Sequence, residues 1–381
     1  MRVALVAAEP SGDQLAAGLM AALRERRPDV RFEGVGGARM REQGLRSRFP
    51  MEKLSVMGLV EVLRHLPELL ALRRRLVRQW REDPPDLFVG VDAPDFNLGL
   101  EAALKEGGVP VLHYVSPTVW AWRQRRVKRL RRAADRVLCL FPFEPEFLAR
   151  HGVEGRYVGH PLAARYPLEP DRPAARAALG LPSAGTVLAL LPGSRRTEVE
   201  RIAPPFLEAA ERLRARHGGL RVVTPTATEA TERRFRALAR RHAPGLPLSV
   251  HPGRTREALT AADVALVASG TATLEALLCK TPMVVGYRMH PLTYRLIAGL
   301  RLLKTERVAM ANLLSEPPLA PELLQGSCEA GRLAAELEAL LQDGARRAHI
   351  QAAYADTHRR LRVESDRLAA EAALELLEKG R

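Results

Sequence analysis

Positions 2–27, RVALVAAEPSGDQLAAGLMAALRERR, contain an apolar run, a turn and a helical pattern in direct succession. Residues 2–8 have the length and apolar content of a buried strand, and residues 11–27 have the pattern of an amphipathic helix. The same alternation recurs along most of the chain. Because alternating strands and helices favour parallel strands with helices on both faces of the sheet, the sequence predicts an α/β fold.

The alternation falls into two halves, which we interpret as two Rossmann-like, doubly wound domains facing a central cleft. Further strands are predicted at 30–34, 86–91, 109–115 and 136–141, and then at 186–191, 221–224, 248–250, 264–268 and 283–287. The proline- and alanine-rich stretch 165–184 is predicted to be a linker. We therefore expect a first domain at 1–165, a second at 185–345, and a helical tail at 346–381 that packs back on the first domain or on a partner subunit.

Length and composition exclude several classes of protein. With 381 residues, 46% hydrophobic and 27% charged, the chain is neither disordered nor an integral membrane protein. Glycine and proline interrupt its longest uncharged stretch, and its N-terminal apolar run is too short for a secretory signal, so we expect a cytosolic protein. Three widely spaced cysteines favour neither disulfides nor structural zinc. The net charge of +15 predicts attraction to nucleic acid, anionic lipid or a phosphorylated substrate.

The turn after the first predicted strand carries candidate binding groups. Ser11 and Gln14 have the spacing of a capping box, Gly12 permits close approach of a ligand, and Asp13 adds a carboxylate. A glycine-rich turn at 34–40 follows the second predicted strand. Ordinary helix starts and turns also explain both segments, so neither decides the function by itself.

The third turn places Asp92 at the carboxyl end of an apolar strand, the edge at which open α/β sheets bind ligands. A carboxylate there can act as a general base when a substrate hydroxyl comes within hydrogen-bonding distance. Asp95 is expected to cap the helix that follows. His113, on a later predicted strand, is interpreted as a core histidine.

Two further segments have alternative interpretations. Residues 113–122 hold two of the three tryptophans and run into the arginine-rich stretch 123–136. This pattern suits single-stranded nucleic acid, a phosphorylated lipid at an anionic membrane surface, or a solvated helix face. Residues 57–77 combine leucines with arginines, which indicates a helix with one core face or, where exposed, a membrane contact.

In the second half, two strand-to-helix turns predict a nucleoside diphosphate site. Ser194 and Arg195 precede a helix, so that helix-start amides and a guanidinium can meet phosphate oxygens. Glu275, in a similar turn, is placed to accept hydrogen bonds from ribose hydroxyls, although a first-turn glutamate also complements a helix dipole. Neither turn has a Walker A lysine, and the sequence has no Asp-x-Asp pair, so arginine and helix dipoles would stabilise a leaving nucleoside diphosphate.

These motifs resemble, over essentially the whole chain, those of the lipid-A-disaccharide synthases, which are inverting glycosyltransferases of the GT-B fold. The ordered set is 9–13, 34–40, 57–63, 91–97, 114–122, 158–161, 191–195, 269–275 and 312–314. It departs from the family pattern at Ala8, where glycine is usual, and at Ala38, where proline is common. The resemblance implies transfer of 2,3-diacylglucosamine from UDP-2,3-diacylglucosamine to the 6-hydroxyl of 2,3-diacylglucosamine 1-phosphate, giving the β-1,6-linked lipid A disaccharide 1-phosphate and UDP.

The resemblance also implies residue roles and partners. Asp92 becomes the base for the acceptor hydroxyl, Arg195 with Ser194 holds the diphosphate, and Glu275 holds the ribose. The other expected substrate-binding residues are Ser11, Gly12, Asp13, Ser269, Gly270, Thr271, Thr273 and Asn312. No cofactor, metal or nucleic acid is expected. The implied partners are the two lipid substrates, an anionic membrane surface at the inner face of the inner membrane, and a second copy of the chain.

Other functions remain open on the residues alone. Another UDP-sugar enzyme of this fold, such as a peptidoglycan-precursor glycosyltransferase or a UDP-N-acetylglucosamine 2-epimerase, would use a similar donor site. A nucleic-acid-binding protein would explain the positive charge, and its binding would weaken steeply with salt. A Rossmann oxidoreductase is disfavoured because neither half carries the glycine fingerprint with its acidic partner.

Overall fold

A computed structural model describes residues 1–51, 54, 59–118, 126–289 and 307–379, without the side chains of 59–65. The chain divides into two compact units, Met1–Pro161 with Leu361–Arg381, and Leu162–Arg360. Each unit contains one parallel sheet, which confirms the predicted pair of doubly wound α/β sheets. The motif positions 57–58 and 119–122, and the arginine-rich positions 123–125, lie outside the described residues.

Seven strands form the sheet of the first unit: β1 (Arg2–Ala7), β2 (Arg31–Val35), β3 (Arg46–Ser47), β4 (Leu87–Val91), β5 (Val111–Tyr114), β6 (Arg136–Cys139) and β7 (Gly155–Tyr157). Their order is β3-β2-β1-β4-β5-β6-β7, so the direction of winding reverses between β1 and β4. Ala7 pairs with Val91 at this reversal. Because a reversal opens a crevice outside the carboxyl ends of the central strands, the turns after β1 and β4 lie at the edge that binds ligands.

Helices cover both faces of this sheet: α1 (Pro10–Arg26), α2 (Ala38–Glu42), α3 (Leu59–Glu82), α4 (Pro94–Glu106), α5 (Arg126–Ala133), α6 (Glu144–Ala149) and, from the end of the chain, α16 (Ser365–Lys379). Alternate side chains of one strand point to opposite faces. Leu5 accordingly belongs to a buried cluster with Leu19 of α1 and Ala373 of α16, whereas Val6 belongs to one with Trp80 of α3.

A face of small residues and a buried arginine attach α16 to the first unit. Residues 369–373 include four fully buried alanines. Arg136 of β6, itself only 2% exposed, donates to the carbonyl of Ala372 at 2.6 Å and pairs with Glu154 at 2.6 Å and Glu375 at 3.2 Å. The end of the chain is therefore part of the core of the first unit.

Six strands form the sheet of the second unit: β8 (Val187–Leu191), β9 (Arg221–Thr226), β10 (Leu248–Pro252), β11 (Val264–Ala268), β12 (Met283–Tyr287) and β13 (Glu322–Leu324). Their order is β10-β9-β8-β11-β12-β13, which places the reversal between β8 and β11. The described helices are α7 (Pro161–Arg165), α8 (Arg172–Ala178), α9 (Arg196–Arg216), α10 (Glu229–His242), α11 (Thr255–Ala261), α12 (Thr271–Leu278), α13 (Met310–Leu313), α14 (Ala330–Gln342) and α15 (Gly344–Leu361), with a 3-10 turn at Gln325–Ser327.

The stretch 165–184 is part of the second unit, and its prediction as a linker was wrong. It contains α8, and Asp171 caps the first turn of that helix. Arg176 is buried and donates to Asp263 Oδ2 at 2.9 Å. Proline at the start of a helix is favourable, so Pro173 does not interrupt structure here.

The helical tail starting at 346 is likewise divided between the units. Most of α15 belongs to the second unit, and α16 belongs to the first. Among the helices that the structure describes, none is both long enough and apolar enough to cross a bilayer.

Candidate active site

A cavity of about 420 Å³ lies at the carboxyl edge of the second sheet, where β8 and β11 are neighbours. Six of the predicted binding residues line it: Ser194, Arg195, Ser269, Gly270, Thr271 and Glu275. They stand on two strand-to-helix segments, one after β8 and one after β11, so parallel pairing brings together residues that are distant in the sequence. A pocket at such a reversal is the usual ligand site of an open α/β sheet.

The start of α9 forms the end of the cavity suited to an anion. Gly193 has a φ of 116°, a conformation that glycine adopts without strain. The amides of Ser194 and Arg195 donate to one carboxylate oxygen of Glu198 at 3.2 and 3.3 Å. Glu198 therefore occupies the helix-start position that a phosphate group favours. The Arg195 side chain is 66% exposed, which makes its guanidinium accessible to a ligand.

Glu275 is oriented by a residue from outside its own helix. The hydroxyl of Tyr166, a residue just after α7, donates to Glu275 Oε1 at 2.7 Å. Burial raises the pKa of Glu275, and the hydrogen bond from Tyr166 opposes part of that rise. The sequence contains no motif that links Tyr166 to this site.

Three further hydroxyl-bearing residues line the cavity without having been predicted. Thr226 ends β9, Thr255 begins α11 just after β10, and Tyr287 ends β12. The hydroxyl of Thr226 is buried and has no hydrogen-bond partner among the residues described. The available signal was positional, since all three stand at the carboxyl ends of strands in the same parallel sheet.

Asp92 follows β4 in the first unit, in a turn of unusual backbone conformation. Asp92 and Ala93 have φ values of 52° and 46°, which are strained for residues with a side chain. Asn97 is fully buried and donates from Nδ2 to the carbonyl of Asp92 at 2.8 Å, while the amide of Asp92 donates to the carbonyl of Tyr114 at 2.8 Å. These bonds fix the turn. Asp95 lies in the first turn of α4, and Ala93 occupies the cap position expected for it.

Asp13 binds the backbone of its own unit. It is buried, and its Oδ1 accepts hydrogen bonds from the amides of Gly37 at 2.8 Å and Met40 at 3.1 Å. These amides stand at the start of α2, which leaves its first N–H groups without partners inside the helix. Asp13 therefore joins the turn after β1 to the glycine-rich turn after β2.

Ser11 and Gly12 lie in the first turn of α1, which begins at Pro10. The predicted capping box from Ser11 to Gln14 is wrong, because both residues are inside the helix. Ser11 is exposed at the ligand-binding edge of the sheet. A Cβ at position 12 would lie 3.5 Å from Ala7, an ordinary contact, so packing alone does not require glycine there.

Thr273 and Asn312 stabilise loops beside the cavity and do not line it. The Thr273 hydroxyl donates to the carbonyl of Gly270 at 2.8 Å and accepts from the amide of Met310 at 2.9 Å. The Asn312 side chain donates to the carbonyl of Ala320 at 2.7 Å and accepts from two backbone amides at 2.9 Å. Their polar atoms are thus engaged within the unit.

No candidate metal site accompanies the cavity in the described part of the chain. No group of three or more His, Cys, Asp or Glu side chains there is arranged to hold a metal ion. His113 is fully buried, as predicted for a core histidine, and forms an ion pair with Glu101.

Comparisons with known proteins agree over the full length of the chain. A family model described as lipid-A-disaccharide synthetase matches residues 3–376. The chain is 52% identical over 379 residues to the lipid-A-disaccharide synthase of Pseudomonas aeruginosa (strain LESB58), covering 100% of this chain and 99% of the relative. Identity to the lipid-A-disaccharide synthase of Azotobacter vinelandii is also 52%, over 380 residues, with 100% and 99% coverage. A UDP-GlcNAc 2-epimerase from Neisseria meningitidis, solved with UDP-GlcNAc, covers 100% of both chains with a TM-score of 0.62; at 12% identity it shows the fold alone.

Proposed function

Because the chain belongs to the lipid-A-disaccharide synthase family, and so is a glycosyltransferase of lipid A biosynthesis, we propose the following reaction and site for it. The enzyme transfers 2,3-diacylglucosamine from UDP-2,3-diacylglucosamine to the 6-hydroxyl of 2,3-diacylglucosamine 1-phosphate. The products are the β-1,6-linked disaccharide 1-phosphate and UDP. The cavity at the start of α9 and α12 carries the proposal, because six residues of the family motifs line it together.

The UDP moiety of the donor occupies this cavity. Its diphosphate takes the place of the Glu198 carboxylate at the amides of Ser194 and Arg195, where the positive end of the helix dipole favours an anion. The Arg195 guanidinium adds a bidentate contact to phosphate oxygens. Glu275 accepts hydrogen bonds from the ribose hydroxyls, and Tyr166 holds it in position. The second unit is thus the donor-binding part of the chain, and the first unit serves the acceptor and the membrane.

Asp92 is the base that activates the acceptor. Its carboxylate takes the proton of the 6-hydroxyl as the oxygen forms a bond to the anomeric carbon of the donor sugar. The bond between that carbon and the diphosphate oxygen breaks on the opposite face, which inverts the configuration. The electron pair of the broken bond leaves with UDP, and Arg195 together with the start of α9 stabilises its charge.

Product analysis tests the reaction, and one variant tests the base. Mass spectrometry of a mixture of the protein with both lipid substrates should show the monophosphate acceptor enlarged by one diacylated hexosamine unit. Conversion of a UDP-sugar without an acceptor would instead indicate an epimerase, and transfer to a peptidoglycan precursor would indicate the other glycosyltransferase. Asp92→Asn should lower kcat by about 100-fold or more, within the range that general-base catalysis contributes. Near-normal turnover of a folded Asp92→Asn protein would refute the assignment of the base.

We further propose that the protein works at the cytoplasmic face of the inner membrane as a peripheral protein. The net charge is +15, and Arg73, Arg74, Arg78 and Arg81 line a groove of about 510 Å³ beside α3. Leu66, at the start of the described side chains of α3, is 40% exposed. Basic residues beside an exposed apolar side chain suit anionic lipid headgroups.

Vesicle sedimentation tests this attachment. Binding should be strong to vesicles with anionic lipid, weak to zwitterionic ones, and reduced by salt. Equal binding to both kinds of vesicle would contradict it. On the family resemblance alone we also propose a homodimer, which sedimentation equilibrium tests directly.

A further inference from the structure

A buried ion pair lies beneath the turn that carries Asp92. Glu101 stands on α4 and His113 on β5, and both side chains are 0% exposed. Nδ1 of His113 is 2.7 Å from Oε1 of Glu101. Burying two charged groups costs free energy of folding unless their geometry is good. This pair, next to the carboxyl edge of the sheet, therefore needs an explanation.

The surrounding chain is shaped to accommodate this pair. A Cβ at Gly90, in the strand that leads to Asp92, would lie 1.9 Å from Oε1 of Glu101. Glu101 and Asn97 stand four residues apart on α4 and therefore share one face of it. Asn97 holds the carbonyl of Asp92, as described above, so one helix face supports both the base and the pair.

Backbone strain is concentrated at the same place. Asp92 and Ala93 after β4, and Val115 after β5, all have positive φ, and the value for Val115 is 82°. Such conformations are rare for residues with side chains, and for a β-branched residue above all. They persist where the surroundings impose them, and they cluster at active sites. Val115 directly follows the strand that carries His113, so the strained turns flank the pair on two neighbouring strands.

The charges of the pair and of Asp92 are coupled. Burial acts to lower the pKa of His113, but the charge and the hydrogen bond of Glu101 outweigh it, and the charge of Asp92 adds to the same effect. The pKa of His113 is therefore raised above that of a free histidine.

We propose that His113, anchored by Glu101, is a positioning residue that fixes the turn presenting Asp92. This inference rests on the proposed role of Asp92 as the acceptor base. His113 touches no substrate. It acts through the adjacent strand end, where its fixed ring supports the turn that presents the carboxylate.

Two conservative variants, Glu101→Gln and His113→Gln, test the proposal kinetically. Each should lower kcat by about 10- to 100-fold with little change in KM, since small misplacement of a catalytic group costs that much. The double variant leaves two amides that can bond to each other without an unpaired charge, and it should lose no more activity than the worse single variant.

Glu154→Gln is the matched control. It also weakens an ion pair of the first unit, that of the buried Arg136, but at the opposite, amino edge of the sheet. It should lower the melting temperature without altering kcat. If the Glu101 and His113 variants behave like this control, the pair is only structural and the proposal is refuted.

NMR can observe His113 directly, without a substitution of Glu101 or of His113 itself. With ¹³C-labelled histidine, NMR should show a raised His113 pKa in the wild-type protein and a lower one in Asp92→Asn. Asparagine tolerates the left-handed backbone at position 92, so the variant should fold. An unchanged His113 titration in an inactive Asp92→Asn protein would overturn the coupling while leaving the base in place. An active Asp92→Asn protein would instead overturn the base, and the present inference with it.

Discussion

Replacing Tyr166 by phenylalanine should weaken UDP binding in a pH-dependent way. The change removes the hydroxyl that donates to Glu275 Oε1 at 2.7 Å, and Tyr166 is only 7% exposed, so water cannot readily take its place. A hydrogen bond to an ionised group contributes about 1.5–3 kcal/mol. Burial already raises the pKa of Glu275, and loss of this opposing bond raises it further. The ionised form that accepts from ribose is then lost at a higher pH than in the wild type.

Isothermal titration calorimetry with UDP between pH 5 and pH 8 measures this effect. At pH 8, the end of this range that favours the ionised form of Glu275, we expect Kd values within about threefold of each other. Toward pH 5 the variant should bind about tenfold more weakly than the wild type, because 1.4 kcal/mol corresponds to a factor of ten.

Tyr354→Phe provides the control in the same unit. Tyr354 is fully buried, and its hydroxyl has no hydrogen-bond partner in the described part of the chain. Its removal should leave UDP binding unchanged at every pH. A loss in Tyr166→Phe that is independent of pH, or one equalled by Tyr354→Phe, would refute the role assigned to the Tyr166 hydroxyl.

Three other substitutions give further tests. Glu198→Gln removes the carboxylate that competes with a phosphate for the start of α9. Calorimetry should show UDP binding tightened by about two- to fivefold, in line with about 0.3–1 kcal/mol for a charge at a helix terminus. Weaker binding of UDP would contradict this competition. Asn312→Ala leaves buried backbone groups near Ala320 unpaired and should cost about 2–4 kcal/mol in denaturant unfolding, with UDP affinity of the folded protein unchanged. Gly90→Ala forces a methyl group against Glu101 and should lower the free energy of unfolding by about 1–3 kcal/mol in denaturant titration. Wild-type stability would show that the space between Gly90 and Glu101 accommodates a methyl group.

The parts of the fold that depend on long apolar runs could be predicted from the sequence. The central strands β1, β4, β8 and β11 are buried on both faces, so each reads as a continuous apolar segment. Their carboxyl ends then located Asp92 and the loops around Ser194 and Glu275. By contrast, β3, β7 and β13 have two or three residues each and lie at sheet edges or next to them, and so short a segment has no periodicity to detect.

Whether a polar side chain faces a ligand or its own backbone could not be predicted. Asp13, Thr273 and Asn312 stand in turns of the expected kind, yet each satisfies backbone groups of its own unit. Such groups carry a high cost when they are buried without a partner, so the fold itself requires these residues. The left-handed backbone of Asp92 and the contact of Tyr166 with Glu275 depend on tertiary structure, which no local pattern encodes.

The attachment of α16 to the first unit also constrains how the protein is made. On the ribosome, residues 1–161 emerge first but lack the helix that completes their core, and Arg136 lacks its acceptor at Ala372. All of residues 162–360 must be synthesised before that helix appears. The second unit therefore has its whole sequence before the first does, and nascent chains stalled before residue 365 should hold a native second unit attached to an incomplete, protease-sensitive first unit.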